Sequence, residues 1–300
     1  MQQEDNRQRI AQERLRELPT LSRVLGDSWI VEEYRKPNDQ RSLIAGWLSA
    51  EWSPIEPFGL WLRDLDSALH LLETCVSGSV WRKFCGKVRT HCDRSNSKGT
   101  LSEIAICVLL ARHDIPFELE TELTTESSKD VDITACLGDG MPLHIEVQWL
   151  SPSARSDNGA AIASAYGECY KYDFDYENYR IKLKIHEKTS KLTRRDVTLV
   201  ALNCDQCPEL GGDRPHSSIA VAALEAFTGK DIQGNQLPYA DSHIDTAIRS
   251  LVDGVLWFEL KPGSGLLPVE RGVCLNPCSP NIGEESLSRI VSIWRTSRAG

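Results

Sequence analysis

Two carboxylates set opposite each other on one short hairpin are the residues of this chain best suited to do chemistry. Val131, Ile133 and Ala135 alternate with Asp130, Asp132 and Thr134, and after Gly138-Asp139-Gly140 a second run alternates Ile145, Val147 and Trp149 with His144, Glu146 and Gln148. Period-two patterns of this kind are strands with one apolar face. Gly-Asp-Gly suits a three-residue hairpin loop that needs positive φ. A pairing centred on Asp139 sets Asp132 directly against Glu146 on one face, with Cβ atoms roughly 5 Å apart. Carboxylates this close repel unless a cation lies between them, and hard divalent ions such as magnesium take oxygen ligands. The hairpin therefore reads as half of a metal site. Alternation alone fits a solvated polar face equally well, so the neighbouring elements decide.

Upstream, residues 101–113 are apolar nearly all round (Leu101, Ile104, Ala105, Ile106, Cys107, Val108, Leu109, Leu110, Ala111), which predicts a buried helix. Glu103 falls in its expected first turn, where the helix dipole stabilises a carboxylate that can also point at a nearby metal.

Taken in order, the helix with Glu103, the segment Asp114-Ile115-Pro116-Phe117-Glu118, then Asp132, then Glu146-Val147-Gln148, the chain resembles the PD-(D/E)xK phosphodiesterase superfamily. The resemblance covers about residues 99–205 and leaves the first hundred unmatched. It implies an α/β chain with a restriction-endonuclease-like core, a central mixed sheet flanked by helices. Asp132 matches the Asp of the family's first motif, with Val131 before it in place of Pro. Glu146-Val147-Gln148 matches Glu-x-Lys, with Gln148 in place of Lys. The resemblance implies Mg2+ or Mn2+ held by Asp132, Glu146 and the carbonyl of Val147, with Glu103 orienting metal or water, in a nuclease that hydrolyses phosphodiester bonds in DNA.

The neutral Gln148 can position a water but cannot offset developing phosphate charge. In related nucleases a Lys-Ile-x-x-Lys pattern occupies a helix after the hairpin, and Lys184-Ile185-His186-Glu187-Lys188 matches it. Lys184 and Lys188 are thus expected to replace the missing charge. On a helix over residues 176–192, Lys184, Lys188 and Lys191 recur at i, i+4 and i+7 and share a face. From Tyr179 to Arg195 there are seven Lys or Arg and one acid, Glu187. A net charge of −9 argues against a chain that coats nucleic acid with its whole surface. This run, however, concentrates positive charge where a phosphate backbone can be held, although a charge run is also what a solvated helix face looks like.

The elements that must position these groups follow from pattern. Residues 1–98 read as a helical N-terminal region, with Leu62, Leu65, Leu69 and Leu72 striping a helix over 60–76. Residues 99–300 read as the core domain. After the hairpin come a polar loop at 151–159 and an Ala-rich helix at 160–172. A strand is expected at 197–203, helices at 218–227 and 244–251, a strand at 254–260 and a last helix at 284–298. Strand, helix and strand in alternation fit a mixed sheet covered by helices.

Ten cysteines at irregular spacing fit buried reduced thiols of a cytoplasmic protein. Cys204, Cys207, Cys274 and Cys278 form a CxxC and a CxxxC, but both pairs sit near strand ends, so no zinc site is expected. No apolar run approaches a membrane span and the charged amino terminus lacks a signal-peptide core. Neither a phosphate-binding glycine loop, nor HExxH, nor a Gly-x-Ser-x-Gly elbow occurs. The competing expectation is a catalytically inactive relative that keeps the fold as a nucleic-acid-binding or protein-interaction module, supported by Gln148 and the acidic balance. A homodimer is compatible with the sequence.

Overall fold

The computed structural model describes residues 2–26, 28–50, 57–90, 97–122, 130–137, 142–150, 174–189, 192, 196–205, 218–237, 242–281 and 285–296. The chain forms two compact units, Met1–Leu119 with Leu260–Pro268, and Glu120–Glu259 with Val269–Gly300. The expected turn at 138–140, the loop at 151–159 and the helix at 160–172 lie outside the described residues.

The first unit contains helices α1 (Gln2–Arg16), α2 (Pro19–Leu25), α3 (Trp29–Arg35), α4 (Leu43–Ser49), α5 (Phe58–Cys75), α6 (Gly78–Thr90) and α7 (Ser97–Arg112). Ser42 caps α4 by accepting the Ala45 N–H, which satisfies one of the donors a helix start leaves open. Leu62, Leu65, Leu69 and Leu72 of α5 are fully buried, as their spacing requires. Trp47 packs between Phe58 and Trp61 with ring centroids 6.3 and 6.1 Å away, so it is a docking residue of the helices. Helix α7 is buried on every side from Ile104 to Ala111. It starts at Ser97, however, so Glu103 is in its second turn rather than its first, out of reach of the dipole effect expected for it.

The second unit is built on a six-stranded mixed sheet in sequential order, β1 (Phe117–Glu122), β2 (Asp130–Cys136), β3 (Pro142–Trp149), β4 (Val197–Asn203), β5 (Gly254–Glu259) and β6 (Val269–Leu275). β2 and β3 are antiparallel, β3 to β5 are parallel, and β6 returns antiparallel to β5. Between them run α8 (Phe174–Thr189), α9 (Ser218–Thr228) and α10 (His243–Leu251), and α11 (Glu285–Thr296) closes the chain. β4 and β5 are buried along their whole length, the signature of central parallel strands covered on both faces.

One face of the sheet carries Val200, Leu202, Val255 and Trp257, which cluster with Ile181 and Ile185 of α8, Ile219, Ala222, Ala223, Ala226 and Phe227 of α9, and Ile248 of α10. On the other face Phe258 meets Trp294 of α11 edge to face, with centroids 5.6 Å apart. Among the described residues no helix is long and apolar enough to cross a membrane.

Candidate active site

The register of the hairpin is Ile133 with Ile145, Thr134 with His144 and Ala135 with Leu143. One step further along sets Asp132 against Glu146. Both carboxylates therefore stand on the same face as Thr134, His144 and, through β4, Val200, because side chains two apart on a strand point the same way.

The backbone pins the pair in place. Asp132 Oδ2 accepts the Val147 N–H at 2.9 Å, and Glu146 Oε1 accepts the Asp132 N–H at 3.3 Å, so each carboxylate is held by the strand opposite. Val147, expected as a carbonyl ligand, contributes this amide bond. The Glu146 side chain is fully buried and that of Asp132 retains 12% of its exposure. Two anions in so dry a place require a counter-charge.

Lys188 of α8 provides it. Its Nζ lies 2.8 Å from Asp132 Oδ2 and 3.2 Å from Glu146 Oε2, and bridges the two strands. Burial alone pushes the Lys188 ammonium down, but Asp132 and Glu146 outweigh it and hold the group above its ordinary value. The way α8 packs on the sheet accounts for which lysine reaches it. At 100° per residue, Lys188 falls about 20° from Ile181, at the edge of the stripe that Ile181 and Ile185 bury against the sheet, whereas Lys184 falls about 60° from Ile181, further toward water. Lys184 pairs instead with Glu187 at 2.9 Å on the exposed side of the helix. The two lysines expected to act together are thus separated, and only Lys188 joins the carboxylates. Lys191 lies outside the described residues.

Gln148, the residue in the expected lysine position, donates from Nε2 to the Trp149 carbonyl at 3.0 Å, along its own strand. Glu103 is in the first unit, where it pairs with Lys87 of α6 at 2.7 Å.

His144, whose alternation with Glu146 and Gln148 is its one signal in the sequence, joins the same face. It sits two residues before Glu146 on the same face, almost wholly buried, with Nδ1 3.0 Å from Thr134 Oγ1 and Nε2 3.3 Å from Asp196 Oδ2. Burial lowers its pKa further than Asp196 raises it, so the imidazole is neutral at pH 7.

The basic run is also different from its appearance in sequence. Arg180 pairs with Glu177 at 2.7 Å, Lys182 with Glu225 at 3.1 Å and Asp245 at 3.5 Å, Lys184 with Glu187, and Lys188 with the hairpin. Each described cation of the run stands against acid from another turn or element, which cancels much of the local field.

The donor set at the hairpin suits a hard divalent ion. Two carboxylates on adjacent strands already share one cation, and oxygen-only donors are what magnesium and manganese take. Of the four cysteines weighed as a thiolate site, Cys204 is buried with its Sγ 3.2 Å from the Phe258 carbonyl, Cys274 is half-buried, Cys278 is exposed and Cys207 lies outside the described residues. Compared with known protein families, curated proteins and solved structures, the chain finds no match.

Proposed function

We propose that this protein is a metal-dependent nuclease of the PD-(D/E)xK kind, with a restriction-endonuclease-like core that hydrolyses phosphodiester bonds in DNA. The observation that carries the reading is Lys188 Nζ bridging Asp132 and Glu146. Asp132 and Glu146, with the Val147 carbonyl, would hold Mg2+ or Mn2+, which when bound supplies an activated water and a positive charge for the developing phosphate anion.

The chain's own residues do the rest. The Val147 amide fixes the Asp132 carboxylate, so its orientation is set before any ligand arrives. Glu146, fully buried, is an anion that the site keeps only with a cation beside it. Lys188 brings from α8 the ammonium that Gln148 lacks, and stays charged well above neutral pH. Its position beside both carboxylates lets it orient a water and screen the phosphate. Gln148, two residues beyond Glu146 on the same face of β3, is free of charge and suited to a positioning role.

The self-pairing of the basic run favours a second reading, a silent module in which Lys188 is a permanent structural counter-ion and the fold serves docking alone. Substitution separates the two. In the enzyme, Lys188→Ala abolishes cleavage of plasmid or single-stranded DNA while metal binding persists, Lys184→Ala leaves activity nearly intact, and Gln148→Lys restores part of the rate to the Lys188→Ala protein. A chain that binds no divalent ion and cuts no nucleic acid is the module.

A further inference from the structure

Away from the hairpin, two histidines meet between helices of the second unit. His186 of α8 and His243, the first residue of α10, place their Nε2 atoms 3.1 Å apart, with rings at 83° and centroids 4.8 Å apart. The proton positions follow from the hydrogen bonds. Thr189 Oγ1 donates its only proton to the His186 carbonyl at 2.8 Å, so at 3.1 Å from His186 Nδ1 it acts as acceptor. His186 therefore carries its proton on Nδ1 and presents a lone pair at Nε2. Burial and the neighbouring His243 both lower the pKa of His186, against a smaller pull from Glu187, which keeps the ring neutral.

A neutral imidazole whose far N–H is held by a hydroxyl is the form in which histidine binds metal, because the outer hydrogen bond fixes tautomer and ring direction. In the metal-free pair, His243 Nε2–H donates into that lone pair. Borderline metals bind imidazole at 2.0–2.1 Å, so two tetrahedral ligands stand about 3.4 Å apart. The observed gap is within a few tenths of an ångström of that edge. Centroids 4.8 Å apart show the rings already bent rather than end to end, so exchanging the shared proton for a metal ion needs only a further turn about the soft terminal torsion of histidine.

We propose that His186 and His243 form a surface site for a borderline divalent transition metal, zinc, nickel or copper, completed by water, which clasps α8 to α10. The site is separate in chemistry from the oxygen pair at the hairpin, since imidazole nitrogen selects against magnesium. Its consequence is mechanical. His186 lies two residues before Lys188 on the same helix, so a metal here fixes the turn of α8 that carries the bridging ammonium.

Zinc titration followed by histidine side-chain NMR tests this with the full chain. The ring protons of His186 and His243 should shift together and saturate near one equivalent, while magnesium moves neither. His243→Gln, which keeps a hydrogen-bond donor beside His186, should weaken zinc binding at His186 at least tenfold. Asp132→Asn should leave the zinc response unchanged, so loss of the hairpin site and loss of this one are distinguishable. Rings that stay unmoved at 1 mM zinc (about a thousandfold excess over micromolar affinity), a shift of one ring alone, or undiminished binding in His243→Gln would overturn the proposal.

Discussion

Replacing Lys188 by methionine keeps the length and apolar stem of the side chain but removes the ammonium, and its cost can be worked from the geometry. The ammonium lies 2.8 and 3.2 Å from two carboxylates, one fully buried and one nearly so. Removing one partner from a buried ionic group costs about 3–5 kcal/mol, because the remaining charge is left uncompensated. Proton uptake offers the alternative. Protonating a carboxyl of ordinary pKa about 4.3 from solution costs about 5 kcal/mol at pH 8 and about 1 kcal/mol at pH 5. At pH 8 the pair therefore stays ionised and the full 3–5 kcal/mol penalty applies. At pH 5 the variant takes up a proton, and the penalty shrinks to about 1 kcal/mol. Urea unfolding of wild type and Lys188→Met at both pH values, followed by circular dichroism, measures the difference. Addition of Mg2+ at pH 8 should recover part of the loss by restoring a cation between the carboxylates. A penalty below about 0.5 kcal/mol at pH 8, or one equal at pH 5 and pH 8, would refute the claim that Lys188 neutralises a buried acidic pair.

Further outcomes follow from the same structure. His144 and His186 both have folded-state pKa values below the ordinary one; the unfolded chain then binds more protons, so stability is full above about pH 6.5 and falls as pH drops through the folded values. His144→Phe should flatten that slope in urea melts between pH 7 and pH 5. Burial lifts the Cys274 thiol to about 11, so at pH 8 iodoacetamide should modify exposed Cys136 and Cys278 well before Cys274, as read by mass spectrometry. At Gly272 an added Cβ would collide with the Trp257 indole across the β5–β6 pair. Gly272→Ala should accordingly cost about 1–3 kcal/mol and alter Trp257 fluorescence.

The hairpin was legible in the sequence because two physical signals agree there. Strict alternation fixes which side chains share a face, and the centre of the polar turn fixes the register, so Asp132 and Glu146 could be paired before any coordinates. The long helices were legible for a similar reason, since α5 and α7 bury stripes or whole circumferences of apolar residues. Which lysine joins the carboxylates was not. Lys184 and Lys188 are of one type and about 40° apart on an isolated helix, and the choice is made by the sheet beneath Ile181 and Ile185. The placement of Glu103 failed on a helix boundary, because α7 runs four residues further upstream than its apolar core indicates. β6 carries little alternation because Gly272 faces Trp257 and the register slips between Trp257 and Phe258. The return of residues Leu260–Pro268 to the first unit, where the Gly263 N–H donates to Asp64 Oδ2 at 2.6 Å, and the meeting of His186 with His243, are pairings between distant segments that no local pattern announces.

The most direct test of the central claim is cleavage of supercoiled plasmid in Mg2+ or Mn2+ by the full chain beside Asp132→Ala. Metal-dependent nicking or linearisation by the wild type is expected, abolished by chelation and reduced at least a hundredfold in Asp132→Ala, which would lose a proposed metal ligand. Cleavage that survives in Asp132→Ala, or no cleavage by the wild type with either metal, would contradict that claim.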